Sequence, residues 1–257
     1  MASPPRRRLV GVSTKMFFSA ARTRTYINDL LHILSNPPSP DLLQEIDIFL
    51  IPDHLTLATS ITQLRTSPVP ILPGAQDTHH ADSGAYTGAV SPAVLAELGC
   101  RIVELGHAER RRLFGETDET TALKAAAVAR NGMTPLVCIG ERTRGEIGVA
   151  VDECVVQVEA VVAAVPADSE LILAYEPVWA IGAAQPAGAE HVVGVARAIR
   201  GLACVQGRKG TTRILYGGSA GPGLFENLKE GVDGLFLGRF AHVPEQFYKT
   251  IVEIAAA

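Results

Sequence analysis

Chemistry-bearing residues recur in this 257-residue chain just after short apolar runs: Lys15; His107 and Glu109; Glu176; Gly217-Gly218-Ser219; and Gly238-Arg239. An amine, an imidazole and two carboxylates can together move a proton and stabilise the charge left behind. Paired glycines let backbone N–H groups come close to an anion such as phosphate. Taken singly, each has an ordinary reading. A lysine is usually solvated, a lone histidine is usually a satisfied structural residue, a glutamate after a strand caps the next helix, and Gly-Gly is a turn. Their common placement makes them a set.

The elements that must position them alternate along the chain. Short Val-, Ile- and Leu-rich runs at 9–13, 47–51, 69–72 (running towards Gln76), 102–106, 135–139, 171–175, 213–216 and 235–237 read as parallel strands buried on both faces. Helical patterns fill the gaps, at 55–64, 120–130, 149–165, 191–202 and 245–256. Ser91-Pro92 opens another helix and Gly99 stops it, while Thr117-Asp118-Glu119 and Asn131-Gly132 bracket 120–130. Eight strands with helices between them predict a single (β/α)8 barrel, which leaves no sheet edge. An open doubly wound sheet is the alternative, but no GxGxxG follows the first strand, which ends Gly11-Val12-Ser13. The expected organisation is a flexible tail over 1–8 and one barrel domain over 9–257, with 35–40 a surface connection. In such a barrel the loops after the strands form the active face, and those after strands seven and eight hold phosphate.

Composition narrows the partners. Net charge is -4, so nucleic acid finds no basic footprint, and a phosphate must be drawn by local groups. No apolar stretch approaches the roughly 20 residues of a membrane span. Cys100, Cys138, Cys154 and Cys204 are widely spaced, as free thiols in a reducing, cytoplasmic compartment would be. Arg6-Arg7-Arg8 is followed by no signal-peptide core and reads as a solvated tail. The seven histidines form no ligand set, and His79-His80 reads as a surface or partner contact, so neither a metal nor an organic cofactor is expected.

The same residues carry a family signature. Ala174-Tyr-Glu-Pro-Val-Trp-Ala-Ile-Gly182 and Glu104-Leu-Gly-His-Ala-Glu-Arg-Arg-Arg-Leu-Phe-Gly-Glu-Thr-Asp-Glu119 resemble the strand-six and strand-four motifs of triosephosphate isomerases. Lys15-Met16, Gly84-Ala-Tyr-Thr-Gly88, Tyr216-Gly-Gly-Ser219 and Asp233-Gly-Leu-Phe-Leu-Gly238 resemble further family motifs, in family order from about Val10 to the C-terminus. The resemblance implies an aldose/ketose phosphate isomerase working through an enediolate, by default between dihydroxyacetone phosphate and glyceraldehyde 3-phosphate. It implies Glu176 as base, neutral His107 as electrophile, Lys15 as cationic stabiliser and Glu109 as supporting carboxylate. Gly182, Gly217, Gly218, Ser219, Gly238 and Arg239 would hold phosphate, and a lid would run through Pro177, Val178, Trp179, Ala180, Ile181, Gly182 and Ala183. A homodimer is implied, with Thr87 reaching towards Ser13 and Glu109 of the partner.

Three positions depart from the family pattern. Ser13 stands where an Asn usually donates to the substrate oxygen, Gly238-Arg239 replaces Gly-Gly, and Asp77 replaces an Asn, adding a negative charge near the neighbouring subunit. Ser13 with Gly238-Arg239 resembles a subgroup that isomerises four-carbon tetrulose (erythrulose) phosphates, since a shorter side chain leaves room for one more hydroxymethylene. A non-catalytic phosphosugar-binding barrel and a lyase or synthase barrel are the other readings; the retained Lys15, His107 and Glu176 argue against the first, and the strand-six motif argues against the second.

Overall fold

The computed structural model describes residues 7–35, 43–67 and 69–257. Eight parallel strands close into a barrel in sequence order: β1 (Arg8–Ser13), β2 (Ile46–Ile51), β3 (Ile71–Ala75), β4 (Ile102–Leu105), β5 (Thr134–Ile139), β6 (Leu171–Tyr175), β7 (Thr212–Tyr216) and β8 (Gly234–Leu237). β1 pairs with both β2 and β8, Val12 lying opposite Leu50 and Leu237, and this closes the ring. The connecting helices are α1 (Ala20–Ser35), α2 (His54–Leu64), α3 (Pro92–Leu98), α4 (Ala108–Phe114), α5 (Asp118–Arg130), α6 (Ile147–Ala164), α7 (Ala189–Gly201), α8 (Ala203–Gln206) and α9 (Pro244–Ala255).

Most strand and helix ends fall within two residues of expectation. β3 is displaced further, because Pro73 and Gly74 continue the strand instead of ending it. The Pro73 carbonyl accepts from Arg101 N (2.8 Å), and a Cβ on Gly74 would lie 2.5 Å from Ile51 Cγ1, so only glycine lets β2 and β3 approach here. Ser91 caps α3 and Gly99 ends it at φ 101°. Thr117 and Thr120 exchange a capping box at the start of α5. Arg7 and Arg8 are not simply solvated. Arg7 pairs with Asp47 (2.6 Å), and Arg8 opens β1 with its guanidinium 5.1 Å over the Phe225 ring. The tail as far as residue 6 and the connection beyond Ser35 lie outside the described residues.

Strand alternation divides the apolar residues into two layers. Leu9, Phe49, Ile51, Ile102, Leu136, Cys138, Ile172, Ala174, Leu215 and Phe236 fill the barrel interior. The intervening residues, such as Val10, Val103, Val137, Leu173 and Leu235, pack outward against the helices. The two layers set the parity for every residue at the barrel mouth.

Candidate active site

One cavity at the C-terminal ends of the strands is lined by Ser13, Lys15, His107, Glu109, Glu176, Gly182, Gly217, Gly218, Ser219, Gly238 and Arg239. Parity explains much of this convergence. Leu9, Ala174, Leu215 and Phe236 face inward, so Ser13, Glu176, Gly217 and Gly238, an even number of residues further on, point into the mouth. Of the expected lid, Val178 and Ile181 also line the cavity beside Gly182.

Glu176 leaves β6 with its N–H on the Ile139 carbonyl (2.8 Å) and its side chain almost fully buried. Its Oε2 finds no donor in line, with His107 Nε2 standing 3.4 Å away. Burial pushes this carboxyl up to about 8, with Lys15 pulling against the rise and Glu104 and Glu109 adding to it. Gly217 makes the space, since a Cβ there would sit 2.4 Å from Glu176 Oε1. Gly217 N–H is already given to the Tyr175 carbonyl (2.9 Å), so Gly217 lines the cavity through its bare Cα and not through that donor.

His107 is the N-cap of α4, and its Nδ1 accepts from Glu109 N (3.1 Å). A ring nitrogen that accepts a backbone N–H carries no proton, so the neutral tautomer presents Nε2–H to the cavity. Burial and then Lys15 push its pKa down to about 4, which keeps it neutral. Such a group can donate to an oxyanion without being a cation itself.

Lys15 is the one non-glycine described with positive φ, at 47°. The strained backbone is held by Gln76 Nε2, which donates to the Lys15 carbonyl (2.8 Å). Its ammonium donates to Glu109 Oε1 (2.8 Å). Burial alone would lower Lys15, but Glu109 and Glu176 hold it above its ordinary value, so the site keeps a positive charge. Burial alone would raise Glu109, but its hydrogen bond to Lys15 and that ammonium's charge hold it below its own.

The opposite corner is built by the lid and the loops after β7 and β8. Ser219 Oγ donates to the Ala183 carbonyl (2.7 Å), with the Ala180 carbonyl 3.3 Å away, and Arg239 Nη2 reaches the Gly182 carbonyl (3.3 Å). Arg239 therefore turns over the cavity towards the lid. Farther along, Ala187 N donates to Tyr216 OH (3.0 Å), so the seated segment extends past Ala183.

Glu141, His191, His242 and the role of Glu104 escaped the sequence reading. Trp179 Nε1 donates to Glu141 Oε1 (2.9 Å), which also meets His191 Nε2 (3.1 Å), and these contacts across 38 and 50 residues leave no local signal. His242 Nε2 lies 3.1 Å from the Ser13 carbonyl. Ser13 itself does not offer its proton to the cavity, because its Oγ donates to Glu104 Oε2 (2.9 Å). Glu104 was legible in principle, as a carboxylate inside a strand buried on both faces. Asp77 is mostly buried and pairs within its own chain with Lys124 (2.8 Å) and Arg110 (2.7 Å). Thr87 is exposed on the loop after β3, outside the cavity. On that loop His79 and His80 stack (4.2 Å), and Tyr86 packs on His79.

The site and barrel agree with the comparisons to known proteins. The family model for triosephosphate isomerase matches residues 8–255, and the chain belongs to that family. It is accordingly an isomerase. An L-erythrulose-1-phosphate isomerase of Pectobacterium atrosepticum is 45% identical over 245 residues, covering 94% of this chain and 93% of that protein. Another from Rhizobium etli is 41% identical over 220 residues, covering 81% and 80%. A triosephosphate isomerase of Aquifex aeolicus is 36% identical over 254 residues, covering 95% and 98%.

Proposed function

We propose that this isomerase works through a cis-enediolate on a four-carbon ketose phosphate of the erythrulose 1-phosphate type. The observation that carries the reaction is the convergence of a buried Glu176 carboxyl whose Oε2 has no hydrogen-bond donor, a neutral His107 Nε2–H and the Lys15 ammonium on one cavity. With phosphate in the corner of Ser219, Gly218, Gly238 and Arg239, carbons 2 and 3 lie between Glu176 and His107. Glu176 takes the proton from carbon 3, and the electrons of that C–H bond form the enediolate. His107 and Lys15 meet the negative oxygens. Glu176 then returns a proton to carbon 2 while the hydroxyl proton passes from oxygen 3 to oxygen 2. The ketone moves one carbon along, with no oxidant or reductant required. On a three-carbon substrate the same steps interconvert a ketone and an aldehyde. Pro177 to Ala183 act as the lid that shields the enediolate from water.

The four-carbon preference is supported by the L-erythrulose-1-phosphate isomerases among the relatives, and by Ser13 with its bonded Glu104 where the family pattern has an Asn. The test is kcat/KM on erythrulose 1-phosphate and on dihydroxyacetone phosphate side by side. The four-carbon value should exceed the three-carbon one by roughly 10-fold or more, about what one methylene-sized difference in a pocket supplies. A preference for the three-carbon compound would restore the triose default.

A cytoplasmic homodimer belongs to the same proposal. The described cysteines are free thiols, and Met16 and Phe17, next to Lys15, are 89% and 57% exposed. That apolar surface suits burial under the Thr87 loop of a second copy. Sedimentation should give a two-chain mass, and a fully active single chain would refute it.

A further inference from the structure

Glu104 is a buried carboxylate that the proton transfer does not use. It follows Ile102 by two residues on β4, so it faces an interior otherwise filled by Leu9, Phe49, Leu136 and Ile172. Only 4% of it is exposed, and that surface opens into the active-site cavity. Carrying a carboxylate into apolar surroundings is costly unless its oxygens find donors. The donor here is one neutral hydroxyl, Ser13 Oγ at 2.9 Å. Burial accordingly pushes Glu104 up to about 7, against the pull of Ser13 and Lys15.

The pair has a definite chemical character. An ionised carboxylate offers about four acceptor positions, and Ser13 fills one of them. Ser13 spends its proton on Glu104, and its oxygen faces Lys15 N (3.4 Å), so it too presents lone pairs. The two side chains together ask for a donor. Their position says which one. β4 lies across the closed barrel from β8, and phosphate would sit at the β7–β8 corner, so Glu104 marks the far end of an extended sugar phosphate. A three-carbon substrate ends with its reacting oxygen, whereas a four-carbon one carries a further CH2OH.

We propose that Glu104 and Ser13 form the specificity-determining subsite that receives the terminal hydroxymethyl group of a four-carbon ketose phosphate. This rests on the four-carbon reading above. The hydroxyl of that group donates to the carboxylate, completing a hydrogen-bond set that a three-carbon substrate leaves open.

The experiment compares kcat/KM on erythrulose 1-phosphate and dihydroxyacetone phosphate for wild type, Glu104→Leu, Glu104→Gln, Ser13→Ala and the Ser13→Ala/Glu104→Leu double variant. Glu104→Leu should lower the four-to-three-carbon ratio roughly 100-fold, the scale of one lost hydrogen bond to a charged group. Glu104→Gln, which keeps an oxygen acceptor, should recover the ratio to within about 10-fold of wild type, and the double variant should be no worse than Glu104→Leu alone. Equal losses on both substrates would mean that Glu104 serves only Lys15 or the fold, and would overturn the proposal. Should Glu104→Leu fail to fold, Ser13→Ala carries the test: a ratio about 10-fold lower supports the subsite, and an unmoved ratio sinks it. A wild type that does not favour the four-carbon substrate overturns the underlying reading, and shows this before any variant is made. A favoured four-carbon substrate with unmoved variant ratios overturns the subsite alone.

Discussion

Glu176→Gln should leave a folded barrel whose turnover is roughly 10³–10⁴-fold slower, the usual contribution of a positioned general base. Glutamine fills the space that Gly217 leaves open but cannot accept a carbon-bound proton. The same substitution should stabilise the fold, and the sign follows from linkage. Burial holds the Glu176 carboxyl up at about 8, above the ordinary value of 4.5 it takes when unfolded. Between those values the folded chain keeps a proton that the unfolded chain has lost. Stability therefore falls as pH rises across that window, and is lowest above about 8. Glutamine removes this penalty, so at pH 8 the variant should be more stable by on the order of 2–4 kcal/mol, and the gap should close towards pH 5. Denaturant melts at the two pH values measure it; a variant less stable at pH 8 would mean that the buried carboxylate is better solvated than its surroundings indicate. In the free wild-type enzyme kcat/KM should fall as pH drops below about 8, because Glu176 takes up a proton. His107, held near 4, adds no limb of its own there.

Lys15→Met should cost roughly 10³-fold in kcat/KM, near the upper end for removing one preorganised stabiliser of an oxyanion. The ammonium faces Glu109 at 2.8 Å, and it is the cationic neighbour that pulls Glu176 and Glu104 down against burial. Without it, Glu104, Glu109 and Glu176 lose the cation that acts on all three. The pH midpoint of kcat/KM should consequently move up as well, a shift that simple loss of packing would not produce. A midpoint that stays put or falls would show that Lys15 and Glu176 are not coupled.

Much of the barrel could be read from the chain because parallel strands buried on both faces leave continuous apolar runs with few rivals. The residues at strand ends followed from those runs, and parity turned several of them into a mouth. What could not be read has physical causes. α4 buries none of its residues, so Ala108–Phe114 carries no apolar period to detect. β3 runs through Pro73-Gly74, a pair that ordinarily signals a turn. Glu104 lies inside the long strand-four motif, where only its inward parity on β4 sets it apart from its neighbours. The use of Gly217 depends on how closely Glu176 approaches it, and the Glu141–Trp179–His191 contacts depend on packing between distant segments. Neither is written in local sequence.

The central claim is that one carboxylate carries a proton between neighbouring carbons of a bound sugar phosphate. Its most direct test is proton NMR of erythrulose 1-phosphate incubated with the enzyme in D2O. Deuterium should enter at carbon 3 of recovered substrate and carbon 2 of product with wild type, and should be lost in Glu176→Gln. Product that keeps its carbon-bound hydrogen entirely, or exchange that proceeds unchanged in Glu176→Gln, would contradict the account.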